Sequence, residues 1–306
     1  MNTALRHLQN TVDLISTGCP ERHTMRLFQI GLYSWLLAKT VLLLPAATSL
    51  WGPHSYIQLL DPNSSPLAVP FTLLHRPEVA NYFWLFIACQ IGCLAAGLGG
   101  ICPRLTALGI FFFTKNLNSR AWATQNGGDN LIEILLLFSL FMHPSRHQNS
   151  LRGIVANVSS NVVFWAAQCQ LAIVYAVSGL SKTQGTLWQH GTALYYVLQV
   201  DEYTHPLGRA IAHHDWLVTL GSFGTMAFML SFPCLIWFRN ARPALIAVGC
   251  FLHLQIAILM GLPDFATAMM VGYLLFIPDE VSQRFLDQTP LINSYLTPIK
   301  NHPATT

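Results

Sequence analysis

Long apolar runs, separated by short polar stretches, dominate the chain. A helix that crosses the hydrocarbon core of a bilayer needs about 20 mostly apolar residues. By that measure the pattern predicts spans at Leu27–Leu50, Tyr82–Ile101, Arg104–Trp122, Asp129–His143, Val158–Leu180, Trp216–Phe238, Ala241–Met260 and Asp264–Ile277. The fold class this implies is all-α, a polytopic helical membrane protein with about eight transmembrane helices. The third span is mixed, because LTALGIFFF runs into TKNLNSR. Lipid rejects such a sequence unless its polar half faces protein or a water-filled cavity. The two longest connections, Trp51–Asn81 and Ser181–Asp215, read as folded loops or interfacial helices.

The first 24 residues form a polar, amphipathic segment. They lack the short apolar core and small-residue cleavage site of a removed signal peptide, so the first apolar run is expected to be an uncleaved span. Residues 25–280 then form one transmembrane domain, and 281–306 a tail.

Composition narrows the solvent. Hydrophobic residues make up 53% of the chain and charged ones 9%, against roughly 25% charged in a soluble domain. Mean hydropathy is +0.44. So few charges cannot cover a water-facing surface, and the scattered basic residues give nucleic-acid binding no support. The seven cysteines contain no CxxC pair and lie mostly in apolar runs, where they act as small core-filling residues. Cys89 and Cys93, four apart, stand side by side on a helix.

The Lys/Arg distribution orients the chain. With a cytoplasmic N-terminus, one side receives ten of the cations, among them Arg22, Arg26, Arg104, Arg152, Arg239 and Arg242, and the other receives Arg76, Lys115, Arg120, Lys182 and Arg209. Eight spans with both termini inside fit this asymmetry; seven do not. Lys182 and both long loops then face outward.

Ionisable groups at membrane depth are costly and mark functional candidates. Asp129 and Glu133 lie four apart in NGGDNLIEILLLF, on one helix face. Lys39 in LLAKTVLLL either snorkels or pairs with one of them; otherwise Asp129 orients a donor in a polar pocket. Gly127–Gly128 before this span allows close backbone approach or offers amides at a helix start. His253 sits mid-way in VGCFLHLQIAILMG, suited to a hydrogen bond with a neighbouring helix or to accepting a proton. His190, His205, His213 and His214 are too irregularly spaced for zinc, and no metal site is expected.

The densest constellation is Tyr175–Tyr196, YAVSGLSKTQGTLWQHGTALYY. Lys182 ends an apolar run beside Gly179 and Gly185, and Trp188, Gly191 and Tyr195–Tyr196 follow. An interfacial lysine commonly holds its ammonium among headgroups. The alternative is a partly desolvated free amine acting as a base.

The segments GICPRLTALG, NGGDNLIEILLLFSLFMHP, YAVSGLSK…LWQHGTALYY and FPCLIWF…RPALIAVGCFLHLQIAI…YLLFIP resemble, in that order, the HTTM membrane domain. That superfamily is typified by the vitamin K-dependent gamma-carboxylases, and the resemblance runs from about Met25 to Pro278. The patterns P-R-[LF]-T, G-G-[DE] and W-x-x-G-T-A-[LI]-Y-Y look most like the bacterial sporulation-delaying-protein maturation factor B branch. In the carboxylases a lysine of a G-x-x-K segment is the free-amine base toward reduced vitamin K during glutamate carboxylation. Lys182 matches it counted from Gly179. His253 matches a seventh-span histidine, and Asp129 falls among the polar pocket residues. The resemblance therefore implies Lys182, His253 and Asp129 as catalytic, and Trp188, Asn130 and Gly128 as contacts for a reduced quinone of the vitamin K kind.

The carboxylases carry a large extramembrane region that binds the substrate's propeptide, and this sequence continues only briefly past its last span. Docking is then expected from another protein or from the two long loops. The maturation-factor branch, similar in that respect, works with partner proteins in producing a secreted peptide toxin. Three readings follow: maturation or export of a secreted peptide precursor with an accessory protein in a bacterial cytoplasmic membrane; a quinol-dependent carboxylase-type enzyme; or a non-enzymatic peptide-binding or immunity protein.

Overall fold

The computed structural model describes residues 19, 21–57, 69–145 and 150–288. Most of the N-terminal segment, the middle of the Trp51–Asn81 loop and residues 289–306 of the tail lie outside the described residues. Helices α1 (Arg22–Leu42), α2 (Phe83–Leu98), α3 (Pro103–Arg120), α4 (Gly127–Ser139), α5 (Leu151–Thr183), α6 (Asp215–Leu235), α7 (Arg242–Leu259), α8 (Pro263–Tyr273) and α9 (Asp279–Asp287) carry the fold, with short helical turns between them. No strand occurs among the described residues, so the protein is all-α. A helix occupies each of the eight predicted intervals.

Three of these helices, α5, α6 and α7, are long and apolar enough to cross a membrane, and up to five spans result if bent pairs count as one each. One such pair is α1 with the turn Leu44–Trp51, bent by 48°. Each of the eight predicted intervals is thus helical, while three to five spans, not eight, meet the length and composition of a full crossing among the described residues. Val177, Leu220, Phe251, Leu254 and Ile258 are exposed along α5–α7. Apolar side chains on the outside of helices are what lipid requires and water penalises.

The chain divides into two compact units. The first comprises residues 1–125, 133–164 and 277–306. Its interior is Ala47, Trp51, Leu74, Phe83, Phe86, Ile87, Leu117 and Ala121. The polar half of α3 faces this protein interior: Thr114, Asn116 and Arg120 are buried. Asn116 accepts from Leu73 N (2.9 Å) and donates to Pro70 O (3.1 Å), while Arg120 donates to Ile57 O (3.0 Å) and Gly52 O (3.1 Å). The Asn116 amide and both Arg120 terminal nitrogens thus find carbonyls, which lowers the cost that lipid would impose, while Arg120 Nε is buried with no partner among the described residues.

Glu133 is paired with Lys115 and accepts from Asn118 Nδ2 at 2.9 Å. Of the alternatives read for Lys39, the one with Glu133 is taken by Lys115, and Lys39 lies over the Trp35 ring, 5.2 Å from its centroid. Helix ends in this unit are satisfied by long-range contacts. Arg26 donates to the last carbonyls of α2, Gly97 O (3.0 Å) and Leu98 O (2.6 Å). Asp279, at the start of α9, accepts from the His23 and Thr24 amides at 2.8 and 2.9 Å. One carboxylate therefore serves the positive ends of two helices.

The second unit comprises residues 126–132 and 165–276. Tyr175, Phe228, Phe232 and Tyr273 form its aromatic centre, with the Tyr175 and Phe232 rings 4.3 Å apart. α7 and α8 meet closely, because Gly249 has no Cβ to collide with the Tyr273 ring.

Candidate functional site

All six residues proposed from the sequence, Lys182, His253, Asp129, Trp188, Asn130 and Gly128, lie in the second unit. They fall into three local arrangements rather than one hydrogen-bonded group.

The first is at the end of α5. Tyr175, Gly179 and Lys182 are spaced i, i+4 and i+7, which places them on one helix face. Lys182 stands two turns, about 10 Å, beyond Tyr175 along the axis. Its Nζ lies 4.9 Å from the centroid of the Trp188 ring, a cation–π geometry. Trp188 belongs to the short helix Thr186–Gln189, and the chain then reverses at Gly191 with φ +70°. A side chain at that φ is strained, and a Cβ there would also sit 2.8 Å from Phe223. The W-x-x-G pattern is thus the turn that returns the aromatic segment toward α6.

The second arrangement is buried. His253 on α7 is 4% exposed and Tyr175 is 1% exposed. Tyr175 Oη lies 2.7 Å from His253 Nε2 and 2.5 Å from Tyr273 Oη. His253 therefore makes the helix-to-helix hydrogen bond expected of a mid-span histidine. The proton count is informative. If Tyr273 donates to Tyr175, then Tyr175 donates to Nε2 and Nδ1 carries the imidazole proton. If Nε2 donates to Tyr175, then Tyr175 donates to Tyr273 and Nδ1 is a bare acceptor. In both cases Nδ1 is buried with no hydrogen-bond partner among the described residues. The two patterns differ in which imidazole nitrogen carries the proton while each tyrosine keeps its own, so this hydrogen-bond relay links the His253 tautomer to the directions of the two tyrosine hydroxyls.

The third arrangement caps α4. Asn126 Oδ1 accepts from Gly128 N at 2.7 Å, and Asp129 Oδ2 accepts from Asn126 N at 3.0 Å. This is the reciprocal side-chain cap of a helix start. Asn126 Nδ2 also donates to Asp264 Oδ2 at 3.2 Å, tying the cap to α8. A Cβ on Gly128 would sit 3.0 Å from Ala268 Cβ and 3.2 Å from Phe265 Cα. Close helix approach is therefore what this glycine permits, and its amide is already engaged by Asn126. Asn130 is exposed. Phe265 touches both arrangements: its ring would meet a Cβ on Gly127 at 3.6 Å and lies 5.9 Å from the His253 ring.

Residues 47–280 match the HTTM domain. The chain belongs to the HTTM domain family. The match spans more than half of its 306 residues, and with the lipid-facing helices it makes this a membrane protein of the carboxylase-related family. No curated protein and no solved structure matches the chain significantly.

Within this HTTM domain, sequence reasoning missed Tyr175 and Tyr273 as chemical partners of His253. The i, i+7 spacing of Tyr175 and Lys182 was a usable signal; nothing local marked Tyr273. Asn126 was also missed, although N-x-x-D before an apolar run is a capping pattern.

Proposed function

We propose that this HTTM domain protein matures or exports a secreted peptide precursor at a bacterial cytoplasmic membrane, together with an accessory protein. The Tyr273–Tyr175–His253 relay carries this reading. The hydrogen bonds of this chain satisfy both hydroxyls and His253 Nε2, but Nδ1 is buried with no partner among the described residues, a cost that a functional role accounts for. The W-x-x-G-T-A-L-Y-Y segment supports the maturation-factor branch, and the Lys/Arg asymmetry supports cytoplasmic termini. The test is a strain lacking the protein, complemented by the wild-type chain or by His253→Leu, with the peptide from a neighbouring reading frame followed by mass spectrometry. Complementation by the wild-type chain only is expected. A peptide that reaches its mature mass and the medium without the protein ends the maturation role.

A second reading is enzymatic, and the Lys182–Trp188 corner favours it. A reduced quinone, when bound, supplies the oxidisable ring of carboxylase-type chemistry. Trp188 offers a ring face for it, Lys182 a nearby amine as base, and the unpaired His253 Nδ1 a polar contact. Asp129 and Gly128 are engaged in the α4 cap. Purified protein with reduced quinone and labelled bicarbonate tests this reading; no label transferred to peptide rejects it.

A further inference from the structure

Residues 140–143, just past α4, and the first turns of α5, within the first unit, border a cleft of about 570 Å³, inside the roughly 300–1,000 Å³ range of small-molecule sites. Its walls are of two kinds. Phe141, Leu151 and Val155 are apolar and are 52%, 77% and 59% exposed. Arg104, Arg152 and His143 are polar, and among the described residues no carboxylate lines the cleft. The His143 Nε2 atom is buried with no hydrogen-bond partner among the described residues.

The backbone beneath is held in place. Ser160 Oγ donates to Phe141 O at 2.9 Å, Gln29 Nε2 donates to Met142 O at 3.0 Å, and Asn157 Oδ1 accepts from Ser145 N at 2.8 Å. The 33-residue α5 also begins at this cleft, at Leu151, so its positive end adds to the two guanidiniums. A purely apolar ligand would leave this positive potential unmatched, and a small soluble anion would leave the apolar wall uncovered. One ligand class meets both demands. By the Lys/Arg asymmetry, Arg104 and Arg152 share the more basic side of the chain, where basic pockets between helices take anionic headgroups.

We propose that this cleft binds one anionic phospholipid, with its phosphodiester between Arg104 and Arg152 and an acyl chain along Phe141 and Val155. The site is independent of the peptide role, and either can fail without the other. The experiment is native mass spectrometry of the full chain, delipidated in neutral detergent. It is titrated with phosphatidylglycerol, with phosphatidylcholine of the same acyl chains, and with glycerol phosphate. One phosphatidylglycerol is expected to bind at least about tenfold more tightly than phosphatidylcholine, from roughly two cation–headgroup contacts. Arg104→Gln with Arg152→Gln brings the two lipids within about twofold, and Arg239→Gln, exposed elsewhere, leaves the preference intact. Val155→Trp fills the apolar wall, keeps both guanidiniums, and lowers the affinity for phosphatidylglycerol. The proposal is overturned by equal lipid affinities in the wild-type chain, by a preference that survives the double change, or by undiminished binding in Val155→Trp. Displacement of the lipid by glycerol phosphate or by an acidic peptide overturns it as well.

Discussion

Tyr175 and His253, 78 positions apart in sequence, share a 2.7 Å hydrogen bond inside the second unit. Tyr175 passes this contact on to Tyr273, so α5, α7 and α8 are joined through three polar atoms in an aromatic setting. Tyr175→Phe removes the central hydroxyl and strands a buried group on each side. Thermal unfolding in detergent is expected to show a loss of about 1–3 kcal/mol. His253→Leu leaves only Tyr175 and Tyr273 paired, and is expected to destabilise less than Tyr175→Phe while abolishing peptide maturation. Equal stability of Tyr175→Phe and wild type would remove the relay from the account.

Lys182 separates charge from basicity. Lys182→Arg keeps a cation over Trp188, where such a contact is worth about 0.5–1 kcal/mol, but guanidinium cannot act as a base near neutral pH. The variant is expected to melt like the parent and to lose label incorporation from bicarbonate. Lys182→Met is expected to lose both the incorporation and the cation–π contribution. Full incorporation by Lys182→Arg would show the residue to be an interfacial anchor.

The α4 cap makes a structural prediction about Asn126, Gly128 and Asn130. Asn126→Ala removes the acceptor for the Gly128 amide and the link to Asp264, at a cost of about 1–2 kcal/mol. Gly128→Ala pushes a methyl group against Asn126, Ala268 and Phe265, and overpacking of this kind costs about 1–3 kcal/mol. Asn130→Ala is exposed and is expected to change stability by less than about 0.5 kcal/mol. Differential scanning of the three variants in one detergent checks the order.

His143 gives a pH dependence. Burial first, then the Arg104 and Arg26 guanidiniums, push its imidazole down to about 4. The unfolded chain takes up this proton near the ordinary value of about 6.5 and the folded chain only near 4. Between those values the unfolded state binds more protons, so stability is full above about 6.5 and declines as pH falls toward 4. The loss is on the order of 3 kcal/mol. Melting curves across this window should show a decline that His143→Asn flattens.

The all-helical class, the lipid-facing helices and all eight helical intervals were legible in hydrophobic run length alone. So was the position of Lys182 beside Trp188, because six residues of chain bring them together locally. The α3 tail TKNLNSR was readable as a condition: it had to face protein, and Asn116 and Arg120 do so. The partner of Glu133 was not readable. Lys39 and Lys115 are both lysines near apolar sequence, and only helix packing selects Lys115. The cap at Asn126 was readable and overlooked.

What the sequence alone determined is the solvent of this protein. Burying or exposing apolar surface is additive along the chain, so a count of apolar residues between charges decides it without knowing any contact. What only the tertiary structure decided is which polar groups meet. Tyr175, His253 and Tyr273 come from three helices, with 78 and 98 positions between the bonded pairs. A hydrogen bond is satisfied only within a few tenths of an ångström and a narrow range of angles, and helix packing alone sets those quantities.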